Sequence, residues 1–121
     1  MIPLFLASGL TALWMGVHLF AGGPQIAAPL RNSTELPSVA RDTAYLCWHF
    51  VSVTLGLMAA FFGLAAMTGQ PGLAMAATLL AAGFTVIGIG LPSAIGQKWR
   101  VLPQGWLFLP VTVLGLWGMW S

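Results

Sequence analysis

Two histidines stand inside stretches that otherwise read as lipid-soluble. His18 lies in Met15-Gly16-Val17-His18-Leu19-Phe20, and His49 in Tyr45-Leu46-Cys47-Trp48-His49-Phe50. An ionisable side chain within an apolar span marks a functional site by default, because an unpartnered polar group is costly there. Two imidazoles at similar depth on neighbouring helices could give both axial ligands of a b-type haem. They could equally hold a chlorophyll-type pigment or a quinone oxygen. A metal-bound imidazole needs an acceptor for its other ring nitrogen. Ser52, Thr11 or a helix carbonyl could supply one. A plainer chemistry stands beside these. A neutral imidazole can bond a backbone carbonyl or hydroxyl across a helix pair and do nothing more. The candidate cofactor-binding set is His18, His49, Tyr45, Trp48, Ser52 and Trp14. The cofactor itself (haem b, pigment, quinone or none) stays open.

No fuller catalytic set is present. Zinc and iron sites usually draw three or more protein ligands. Neither Asp nor Glu falls in an apolar run, and Cys47 is two positions from His49, so it points to a different helical face. A buried free cysteine acts mostly as a small hydrophobe. There is no Ser-His-acid set and no phosphate-binding loop. No carboxylate or cation in a span could drive coupled transport. The sequence therefore predicts a protein that is not an enzyme, with no metal site.

These residues need elements to hold them, and composition names the class. Of 121 residues, 59% are hydrophobic and only 5% charged. Soluble domains carry about 25% charged residues. Mean hydropathy is +0.93. The charges are clustered as Arg31, Glu35, Arg41 and Asp42, then Lys98 and Arg100. Charges excluded from apolar runs and collected between them are the pattern of an integral membrane protein. The pI of about 9.3 reflects four basic residues against two acidic ones, not a nucleic-acid-binding stripe. A lone cysteine allows no internal disulfide.

A bilayer core of about 30 Å needs roughly 20 apolar residues in a helix. Four spans are predicted, at about 2–21, 43–67, 73–91 and 104–120. The fold class is thus all-α, an antiparallel four-helix polytopic bundle with no soluble domain. Gly22-Gly23-Pro24 is read as the end of the first helix. A long connection, 22–42, then carries Pro24, Pro29 and Pro37, with Gln25 to Leu30 at the membrane surface. Pro37 suits the first turn of a helix. The basic residues lie in the first and third connections, so the positive-inside rule places 22–42 and 92–103 in the cytoplasm and both termini in the periplasm. A bacterial inner membrane follows. Trp99 and Trp106 suit the inner interface, and Trp117 and Trp120 the outer one.

At 3.6 residues per turn, His49 shares a stripe with Tyr45, Ser52, Gly56, Ala60 and Gly63. Small residues let membrane helices approach closely. That stripe predicts that His49 points into the bundle. His18 shares a face with Ala7, Thr11, Trp14, Met15 and Gly22. A second stripe, Ser8, Ala12 and Gly16, runs beside it. Small residues cover more faces than a four-helix monomer needs for its own centre. This fits docking against other transmembrane subunits.

His18 near the end of the first helix, Pro29-Leu30 in the connection and Trp48-His49 in the second helix together resemble small four-helix bacterial membrane proteins of uncharacterised function. The resemblance covers residues 1–65 and supplies no activity. It implies that His18 and Trp48-His49 matter together. The leading expectation is a non-catalytic accessory subunit, packed in the bilayer against a larger, bioenergetic complex. The alternative is an electron-transfer protein binding haem, pigment or quinone through His18 and His49.

Overall fold

A computed structural model describes all residues, 1–121, and contains helices and no strands. Helix α1 (Ile2–Val17) continues without a break into a π-helical segment, His18–Ala27, and a last turn, α2 (Ala28–Arg31). Helix α3 is Ser38–Thr68, α4 is Pro71–Ala94 and α5 is Gln104–Trp120. The rods Ile2–Arg31, Ser38–Thr68 and Pro71–Ala94 are long and apolar enough to cross a membrane. Helix α5 has 17 residues.

The first rod corrects one expectation. Gly22-Gly23-Pro24 does not end the helix, and the connection shrinks from 22–42 to 32–37. Proline in a helix interior loses a hydrogen bond and crowds the carbonyl four residues back. Winding to i→i+5 bonds carries the chain past it, and the N–H of Ala28 reaches the carbonyl of Gly23. Pro29 follows where the winding returns to α in the first turn of α2, inside the same continuous rod. Helix α4 likewise runs to Ala94, past the expected end at 91, with Pro92 in its last turn. It stops in a Schellman cap. Gly96 takes φ +73°, while the N–H groups of Gln97 and Gly96 donate to Pro92 and Ser93 at 2.7 and 3.2 Å.

The rods pack in a ring: α1 against α3 and α5, α3 against α4, and α4 against α5. Only 20 residues are buried, and 12 of them form one hydrophobic core around Phe62, Met58 and Val111. Large apolar side chains such as Phe20, Val39, Met67 and Trp120 are exposed on every rod. A dry centre inside an equally apolar exterior is stable only in an apolar solvent. The protein is membrane-embedded and in contact with lipid.

The tightest contacts are made by glycines. A Cβ at Gly88 of α4 or at Gly105 of α5 would land on the backbone of the other. A Cβ at Gly115 would strike Thr78 and Phe62, and one at Gly118 would strike Leu4. The expected small stripes are only partly used. Gly63 lies under Ser8, and Gly56 faces Met15. The Ser8 hydroxyl donates to the carbonyl of Ala59 at 2.8 Å. Ala12 and Ala60, by contrast, are exposed, and a Cβ on Gly16 would meet nothing within 4 Å.

Gly105→Ala should destabilise the bundle by about 1–3 kcal/mol, the usual cost of overpacking. Gly83→Ala, where a Cβ meets open space, should be neutral or gain up to about 1 kcal/mol from helix propensity. Unfolding of the two variants in detergent micelles, side by side, checks the contrast. Equal stabilities would mean that α4 and α5 do not cross at this point.

Candidate functional site

The polar residues of the first and third helices meet at the start of the π-helical segment. His18 is the first residue of that segment. Its ring stacks on Trp48 of α3, with centroids 4.2 Å apart and planes 20° from parallel. Its Nε2 lies 2.9 Å from Ser52 Oγ and 3.2 Å from the carbonyl oxygen of Trp48. The Ser52 hydroxyl donates to that same carbonyl at 3.2 Å. A carbonyl only accepts, so its contact with Nε2 calls for a hydrogen on that nitrogen. Nε2 therefore carries the hydrogen, which is shared between the two oxygens. π-Helical turns recur at functional sites because the extra residue re-aims a side chain. Here the change of winding coincides with His18.

His49 is placed differently from the expectation. Its side chain is exposed on the outer edge of α3, not inside the bundle. The face that α3 turns to α1 is centred on Trp48, Ser52, Ala59 and Gly63. His49 and Ala60 are rotated off it toward lipid. Trp48 touches both histidines, stacked on His18 and edge-on to His49 at 5.2 Å. Tyr45 meets His49 edge-on at 4.7 Å. The two imidazoles thus share one indole as neighbour and do not face one another across a gap. A ligand bound at His18 Nε2 would displace the contacts of that nitrogen with Ser52 and the Trp48 carbonyl. No group of three or more His, Cys, Asp or Glu side chains converges.

Trp14 is also placed apart from the cluster. Its indole N–H donates to the carbonyl of Leu107 in α5 at 2.9 Å. It therefore ties α1 to α5. Cys47 is a free, exposed thiol. Arg31, at the end of the first rod, holds its guanidinium 5.9 Å from the centroid of the Tyr45 ring. Sequence reasoning missed this residue as a site member because it assigned Arg31 to a loop. Continuous helix from His18 to Arg31 is what brings it over α3. Comparison with protein-family models, with curated proteins and with solved structures finds no match.

The arrangement can do two things chemically. On the inner side it satisfies an imidazole between two helices without leaving a buried polar atom unpartnered. On the outer side it presents a phenol and an imidazole to the bilayer. Ser52→Ala should cost about 0.6 kcal/mol, the average for a hydrogen bond between membrane helices. The 15N spectrum of selectively labelled protein should show His18 protonated at Nε2. A neutral His18 protonated only at Nδ1 would contradict the geometry.

Proposed function

We propose that the chain is a four-span integral membrane bundle that works as a non-catalytic accessory subunit, packed laterally against the transmembrane helices of a larger complex. Helix α5 supplies the fourth span. Its 17 residues are about 25 Å long at 1.5 Å per residue, close to the hydrocarbon thickness. The order of contacts supports an antiparallel arrangement. Ser8, Met15 and His18 of the first rod meet Ala59, Gly56 and Ser52 of α3 in reverse sequence. Leu4 and Trp14 meet Gly118 and Leu107 of α5 in the same sense.

One observation carries the subunit reading: small residues face outward with room above them. A Cβ placed on Gly9, Gly16, Gly83 or Gly90 meets nothing within 4 Å. In lipid, helices associate through close packing at such residues rather than through hydrophobicity. The connections, 32–37 and 95–103, are too short to recruit a partner outside the bilayer. The positive-inside rule favours an inner membrane with Arg31, Arg41, Lys98 and Arg100 at the cytoplasmic face and both termini outside.

Mild extraction from the native membrane followed by native-gel electrophoresis tests the proposal. The chain should migrate with a larger assembly, and Gly83→Leu or Gly9→Leu should release it as a free small protein that still folds. Migration of the unmodified chain as a free small protein would sink the reading. Topology is checked with cysteines placed at Ser33 and Gln97 in a Cys47→Ser background. Both should be shielded from an impermeant thiol reagent in intact cells.

A further inference from the structure

We infer that Arg31, Tyr45 and His49 form a binding site for one anionic phospholipid on the lipid-facing edge of the α1–α3 seam. Three side chains at successive depths hold hydrogen-bonding capacity that the protein does not use. The Arg31 guanidinium makes no hydrogen bond within the chain. Its only ionic partner is Asp42 at 3.8 Å, beyond hydrogen-bond range. Arg41 takes most of that carboxylate, with contacts of 2.8 and 3.4 Å from Nε and Nη2. The Tyr45 hydroxyl and the His49 ring make none either; the hydrogen bonds of this region belong to His18, Arg41, Ser52 and Thr54. Arg31 reaches over the Tyr45 ring, and Tyr45 abuts His49. The three therefore form one ladder.

The order of the ladder matches the order of groups in a phospholipid. Arg31 lies at the level of Asp42, among the charges. His49 lies about 10 Å further along α3, at 1.5 Å per residue. A phosphate belongs at the charged level, and guanidinium donors suit its oxygens. Ester carbonyls lie just below the phosphate and only accept. A phenol O–H and an imidazole N–H are the donors they need. Below His49 the seam is floored by exposed or open small residues, Ala60 on α3 and Ala12 and Gly16 on α1. An acyl chain can lie there where a larger side chain would stand. The Trp48 edge against His49 fixes the imidazole that would take the ester. Glu35 and Asp42 are the acidic groups of this end, and neither reaches Tyr45 or His49 through a hydrogen bond or ion pair. Lys98 and Arg100 lie on the α4–α5 connection, outside the ladder.

Native mass spectrometry of the full chain, released from micelles containing either phosphatidylglycerol or phosphatidylcholine, tests the site. One retained phospholipid per chain is expected. Occupancy should favour phosphatidylglycerol about fivefold, the worth of about 1 kcal/mol for one arginine near an anionic headgroup. Arg31→Gln should abolish the preference. His49→Phe and Tyr45→Phe should lower retention of both lipids. Lys98→Gln, which removes the same charge at the other connection, should change nothing. The inference falls if Lys98→Gln acts as strongly as Arg31→Gln, because the attraction is then diffuse. It falls equally if His49→Phe and Tyr45→Phe retain lipid undiminished. Recovery of an isoprenoid quinone in place of phospholipid would overturn it in favour of a redox ligand.

Discussion

A backbone carbonyl that loses its helical donor has no water to turn to inside a bilayer, and three helix-interior prolines create that condition here. Pro92 removes the N–H that would bond the carbonyl of Gly88, and Pro110 does the same to Trp106. The tertiary structure is organised around these two places. At the first, Gly88 and Gly105 bring the backbones of α4 and α5 into direct contact. The next carbonyl, that of Ile89, receives the indole N–H of Trp99 at 2.9 Å. At the second, the carbonyl of Leu107, beside the orphaned one, receives the indole N–H of Trp14. Two tryptophans that the sequence assigns to an interface and a cofactor set thus bond carbonyls adjacent to those that the prolines leave without a donor. The third proline, Pro24, is handled by winding rather than by a partner.

That winding couples the fold to the site. The π-helical segment begins at His18 and ends at Ala27, one α-helical turn before Arg31. A helix broken at Gly22-Gly23 would leave Arg31 on a loop. The unbroken rod instead carries it back over Tyr45 while His18 is held in the α1–α3 seam. Two polar faces result from one crossing. The inner one, His18 with Ser52 and the Trp48 carbonyl, is complete in itself. The outer one, Arg31 with Tyr45 and His49, is incomplete, and that asymmetry separates structural chemistry from binding chemistry.

Trp48 is the hinge of this division. It stacks on the inner imidazole and supports the outer one by its edge. Aromatic rings prefer offset stacking or edge-on contact. Here one indole makes both contacts, a stack with His18 of the neighbouring rod and an edge-on contact with His49 on its own helix.

Membrane class was legible from the sequence, because charge exclusion and hydropathy are local sums. The fourth helix was legible too: Gln104–Trp120 coincides with the run bounded by Pro103 and the final tryptophan. The sequence grouped Ser52 with His49, whereas in the fold Ser52 meets His18. The rotation of α3 was not legible. A water-soluble helix shows its buried face by contrast with a polar one. Helix α3 has no charged residue after Asp42, and its few polar side chains, among them Tyr45, His49, Ser52 and Thr54, are spread over more than one face, so its periodicity does not say which edge meets α1. Packing alone decided that Ser52 and Gly63 turn inward while His49 and Ala60 turn to lipid. The passage through Gly22-Gly23-Pro24 was equally hidden. Those residues are the strongest local stop signal in the chain. Only a bilayer that penalises exposed backbone, together with α3 alongside, makes a continuous rod the better outcome.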